Sequence, residues 1–238
     1  TAFTRTCQKN AEIVIFRNEE WFKVFLHETI HTFGLDFSGV NNDYCTKNML
    51  SLFNIKSDIN LFESYTEFWA RIINALFCSY NYFKQENIKK KQLNTPINYE
   101  LLNELASNFI NIEIKFSFFQ MVKILKFMDL KYDDILNKNN LTPIKYNENT
   151  NIFAYYIITT ILINNYQSFL SWCQKHNTSL LQFGKTIVEQ DEFCKFINNK
   201  YKNKNMLDAI KCTEEFVSHF NDEEILINSL RMTVCEMG

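Results

Sequence analysis

Apolar residues recur at helical spacing over most of this chain. Trp21, Phe22, Phe25, Leu26, Ile30 and Phe33 make one stripe, which predicts a helix that buries this face and stops at Gly34. Asn18 stands where an N-cap belongs, with Glu19 and Glu20 in the first turn. Before it, residues 12–17 are short and β-branched at the centre, as a strand is, and residues 1–10 are polar and irregular. A second stripe, running from Leu61 through Tyr65, Phe68, Trp69 and Ile72 to Phe77, predicts a helix over 59–85. Ser38, Gly39, Asn41, Asn42 and Asp43 are turn residues, so 36–60 reads as loop or short helices.

Further along, residues 87–96 are basic and polar, an exposed connection. Residues 99–136 carry one or two helices, 137–151 a second loop and 151–175 the most apolar helix. Amphipathic helices follow over 179–200 and 206–220, joined by an Asn/Lys linker at 198–205, and 223–236 is a last helix or tail. The expected fold is mainly α, with a short N-terminal strand or small sheet. Its expected parts are 1–86, which holds the candidate chemistry, and 97–238, a helical part packing on it as one compact domain.

Composition narrows this picture. Four Gly and two Pro in 238 residues are too few for a turn-rich β fold. With 46% apolar residues the chain is not disordered, and a net charge of −2 argues against nucleic acid or an anionic membrane as partner. No run of 18 apolar residues offers a membrane span. The seven cysteines are scattered and form no CxxC pair, which reads as reduced thiols in an intracellular protein.

The candidate chemistry is His27-Glu28-Thr29-Ile30-His31. Histidines four apart project from one helical face and can grip one Zn²⁺, while the Glu beside the first reaches a water as general base. A third ligand is then required. The run on to His31-Thr32-Phe33-Gly34-Leu35-Asp36-Phe37 resembles the matrix-metalloproteinase pattern, but Phe37 stands where that pattern has its third His, Asp36 is one residue out of register, and Met49 is weak support for a Met-turn. The other source is a Glu on a second helix. Glu63 and Glu67 lie four apart on one face, so one can bind zinc while the other accepts a hydrogen bond from a ligand imidazole. Glu67 or Asp36 would orient a histidine in this way.

The Glu-Ser-x-x-x-x-Trp arrangement at Glu63–Trp69 is similar to the third-ligand helix of the carboxypeptidase Taq family and, more loosely, of thimet-oligopeptidase-like enzymes. The chain thus resembles a gluzincin-type zinc metallopeptidase, and its general style is similar to that of zincin-like proteins of large DNA viruses. The resemblance implies a zincin-like core, Zn²⁺ held by His27, His31 and Glu63, a peptide or protein substrate, and Glu28 as catalytic base. It further implies a late tyrosine that stabilises the oxyanion, for which Tyr155 and Tyr156 are the candidates; aromatic residues on so apolar a helix are otherwise core. The chain departs from those families in being far shorter and in a longer His31-to-Glu63 separation. Arg71 reads as a substrate-carboxylate ligand or as a salt-bridge partner of Glu67, and His176 and His219 as surface residues. The alternative to a peptidase is a zinc-stabilised structural or interaction module derived from one.

Overall fold

The computed structural model describes residues 2–5, 10–89, 97–136, 143–219 and 229–237. Among them are eight α-helices: α1 (Trp21–Thr32), α2 (Asp43–Leu52), α3 (Leu61–Lys89), α4 (Tyr99–Phe127), α5 (Thr159–Asn164), α6 (Tyr166–His176), α7 (Ile187–Lys200) and α8 (Lys204–Ser218). Sheet is confined to two-residue strands. Strand β1 (Ala2–Phe3) pairs antiparallel with β2 (Val14–Ile15), and β3 (Ile55–Lys56) pairs parallel with β4 (Tyr146–Asn147). The mainly helical expectation therefore holds.

Helix α3 is the axis. From Ser64 to Ile72 every side chain is buried, because α1, α4, α5 and the turn before α5 surround it. One continuous core runs from Ile30 on α1 through Phe68, Met121, Phe169 and Phe193 to Cys235, so the two parts of the chain share it. Six described cysteines are free, five of them buried.

Several elements depart from the sequence expectations. Helix α1 starts at Trp21, not at Asn18. Its N-cap is Glu20, held at φ 58° with no side-chain cap, and its buried face is Lys23, Val24, His27, Glu28 and Ile30. The aromatic stripe faces outward, with Trp21 47%, Phe25 40% and Phe33 69% exposed. It forms its own outer cluster, in which Phe22 packs edge-on against Trp21 and Phe77 at 5.6 and 5.3 Å between ring centres. Polar groups can sit inward only because α3 offers them partners.

The long apolar helix over 151–175 is broken. Residues Phe153–Ile158 form a π-helical turn, closed by Thr159 N–H donating to the Ala154 carbonyl, and the helix breaks again at Asn165. Helix α7 begins at Ile187, because residues 177–186 tie the core together as a loop in which Phe183 N–H donates to Leu35 O at 2.8 Å. Thr186 then caps α7 by accepting from Val188 N–H. Residues 229–237 are not helical but an extended segment laid across α1, α3 and α4. Residues 87–89 of the expected connection over 87–96 are instead the last turn of α3, while the rest of it, and parts of the loop over 137–151 and of the tail over 223–236, lie outside the described residues.

Candidate metal centre

Helix α1 ends at Gly34 as its sequence requires. Gly34 takes φ 59°, its N–H donates to His31 O at 2.9 Å, and Leu35 N–H donates to Ile30 O at 3.0 Å. This pair of bonds is the Schellman closure that a left-handed residue permits. It folds the chain back under the last turn, so the fully buried Asp36 meets His31 Nδ1 and is fixed by Ser38 N–H donating to its Oδ1 at 2.7 Å.

Across from α1, the first turns of α3 present Glu63 and Glu67 one above the other. His27 Nε2 lies 3.2 Å from Glu63 Oε2 and 3.1 Å from His31 Nε2, and His31 Nε2 lies 3.4 Å from Glu63 Oε2. His27 Nδ1 faces Glu67 Oε2 at 3.1 Å. With each Nδ1 facing a carboxylate, both Nε2 atoms and the Glu63 oxygen turn toward one point.

These contacts supply a fit test for a metal ion. Ligands bound at about 2.0–2.1 Å around a tetrahedral ion stand about 3.3–3.4 Å apart. The three observed separations, 3.1, 3.2 and 3.4 Å, are close to the edges of that tetrahedron. Three acceptors this close repel unless a cation or protons lie among them. Among the described residues, His27, His31 and Glu63 are the cluster suited to a metal.

Burial and charge set the protonation states. Burial lowers the His27 and His31 pKa values, but hydrogen bonds and charge from the facing carboxylates outweigh it, and His31 is raised to about 10. Glu63 is held well below the carboxylate range despite its burial, by the two histidines. Burial alone would raise Glu67, yet the charge of Lys23 and the His27 bond hold it down to about 2. The pKa of Glu28, which directly follows His27, is raised by burial.

Tyr155, in the π turn, donates its hydroxyl to Glu63 Oε2 at 2.8 Å and packs its ring 5.9 Å from that of His27. Burial and the Glu63 charge raise its pKa well above the ordinary phenol value, so it stays a donor. No family, curated protein or solved structure matches this chain.

The structure thus brings together His27, Glu28, His31, Asp36, Glu63, Glu67 and Tyr155. Tyr156 is placed elsewhere: the π turn directs its hydroxyl to Leu230 O at 2.9 Å. Arg71 pairs with Glu113 on α4 at 2.9 Å, not with Glu67. Phe37 stacks on Phe183 at 4.2 Å inside the core, and Met49 is buried there too. Lys23 was not legible. It is buried and ion-paired to Glu67 at 3.1 Å, and its only sequence signal is its place one turn before His27. Asn151, whose Nδ2 lies 3.5 Å from Glu63 Oε1, had no signal either.

Two cavities flank the wall formed by His27, Glu28 and Tyr155. The larger, about 300 Å³, is lined by Phe3, Thr4, Ser38 and Phe62 beside His31 and Glu63. The smaller, about 170 Å³, is lined by Arg17, Lys23, Val24, Glu67 and Met232.

Proposed function

We propose that this protein is a zinc-dependent peptidase of the gluzincin type, with a zincin-like core made of α1, α3 and the π turn. The observation that carries this reading is the convergence of His27 Nε2, His31 Nε2 and Glu63 Oε2 on one point, with Glu28 and Tyr155 lining the same cleft. The oxygen and nitrogen donor set suits Zn²⁺. When bound, zinc supplies a Lewis acid and makes water acidic enough to react near neutral pH.

The chain's own groups do the remainder. Glu67 and Asp36 fix the imidazole tautomers, so His27 and His31 present Nε2 to the ion. Glu28 accepts a proton from the nucleophilic water on a carboxylate oxygen and returns it to the leaving amine nitrogen; its burial-raised pKa suits both transfers. Tyr155 turns its hydroxyl from Glu63 to the oxyanion that develops on the substrate carbonyl. Phe3 and Phe62 line the larger cavity and offer apolar surface to a polypeptide. The free thiols of six cysteines are in keeping with a reducing, intracellular setting.

The test is Glu28→Gln in zinc-loaded protein. We expect one zinc per chain in both forms, and hydrolysis of a mixed peptide library by the parent protein only, with a loss of roughly 10²–10⁴-fold in the variant. Zinc retained with no hydrolysis by either form would assign the site to a structural module. A chain that takes up no zinc would remove the metal reading altogether.

A further inference from the structure

The extended segment 229–237 is held in an unusual way. Among the described residues no strand pairs with it, and its backbone is met by side chains instead. Met232 and Thr233 N–H both donate to Glu20 Oε1, at 2.7 and 2.6 Å. Val234 and Cys235 N–H donate to Glu113 Oε1, at 3.0 and 2.8 Å, and Asn74 donates to Cys235 O at 2.8 Å. Tyr156 and Gln120 donate to the carbonyls of Leu230 and Arg231. Glu20 and Glu113 are 2% and 0% exposed. Buried carboxylates placed as backbone acceptors make strong, directional bonds, so the segment has a fixed position.

That position matters to the cleft. Glu20 directly precedes α1, the helix of His27 and Glu28, and it anchors the N–H of Met232 itself. Met232 lines the smaller cavity together with Val24, His27, Glu28 and Tyr155. Both cations that line this cavity are already paired, Arg17 with Glu20 Oε2 and Lys23 with Glu67 Oε1, each at 3.1 Å, so neither is free to bind a substrate anion.

We infer that segment 229–237 is a specificity strap and that Met232 sets the size of the substrate side chain accepted beside the metal ligands. The inference rests on the peptidase reading: a peptide laid over the wall between the two cavities places one residue next to the scissile bond against Met232. At about 170 Å³ the cavity takes a side chain up to about the size of a single aromatic ring. The substrate class is therefore peptides with a residue of at most that size at that position, rather than the larger indole of Trp.

The experiment compares zinc-loaded parent, Met232→Ala and Met232→Phe. The probes are a peptide library varied at the residues flanking the cleaved bond, and a panel of peptide hydroxamates with the same side-chain variation. Met232 is half-buried, and circular dichroism with thermal melting checks that each variant folds. We expect opposite shifts: Met232→Ala moves preference toward Trp side chains, Met232→Phe toward Gly and Ala. Each shift should be roughly tenfold or more in relative kcat/KM or inhibitor affinity, the effect of a methylene-sized misfit. Active variants with the parent's profile would overturn this inference and leave the peptidase reading intact. A zinc-loaded parent that neither cleaves the library nor binds any hydroxamate would overturn both.

Discussion

Replacing Glu67 by Gln separates its two contacts. The Gln amide oxygen can still accept the His27 Nδ1 proton, so the imidazole keeps its orientation, but the negative charge between Lys23 and His27 is gone. Lys23 is 2% exposed and pairs with Glu67 through both carboxylate oxygens, at 3.1 and 3.2 Å. Stranding a buried charge costs about 3–5 kcal/mol, so the zinc-free variant should lose that much in urea unfolding. Zinc affinity should fall about 10–100-fold, or about 1.4–2.7 kcal/mol, the usual effect of removing a carboxylate behind a ligand histidine. Lys23→Met combined with Glu67→Gln removes both charges and should regain most of the stability, because a neutral pair of similar volume is tolerated there. Its zinc affinity should stay low, since His27 still faces a neutral partner. Glu63→Gln, which removes a ligand atom, should cost more zinc affinity than either. Chelator competition measures affinity, and urea midpoints of metal-free protein measure stability. A double variant no more stable than Glu67→Gln alone, or Glu67→Gln costing more zinc affinity than Glu63→Gln, refutes the reasoning.

Tyr155→Phe keeps the ring against His27 and removes the hydroxyl from Glu63; stopped assays should show kcat reduced roughly 10²–10³-fold with KM and zinc content little changed, and an unchanged kcat would remove Tyr155 from the chemistry. The zinc-free protein should lose urea stability as pH falls: Glu67 has its pKa lowered from 4.5 to about 2, so its contribution is complete above pH 4.5 and disappears as pH passes through about 2. Glu63 and Asp36 are lowered as well and act in the same sense, against the opposite and single effect of Glu28. Gly34→Ala places a side chain at φ 59° and should cost at least about 1 kcal/mol in thermal unfolding, with weaker zinc binding as Asp36 shifts; a variant as stable as the parent would show that the turn is not constrained there.

The grouping of His27, His31 and Glu63 was legible because it rests on local geometry. The His27–His31 spacing and the Glu63–Glu67 spacing each fix a helix face, and the two faces meet as expected. Gly34 marked its helix end for the same reason. What was not legible depended on partners far away in sequence. The apolar stripe of α1 read as its buried face, but the polar face is buried instead, because Glu63 and Glu67 meet its histidines and lysine. Glu20 read as a first-turn helix residue, yet its acceptors serve residues 232 and 233. The choice between Tyr155 and Tyr156 rests on a π turn, which hydropathy does not signal. The break before Ile187 follows from loop contacts such as Phe183 with Leu35, invisible to periodicity.

The outward turn of α1 also gives the molecule an optical asymmetry. Of its three tryptophans, Trp69 and Trp172 are 3% and 8% exposed, whereas Trp21 is 47% exposed at the first residue of the helix that carries His27 and His31. An aqueous quencher reaches that indole and not the other two. The emission therefore divides into a protected part from the core and an accessible part, and the accessible part reports from the helix on which His27 and His31 stand.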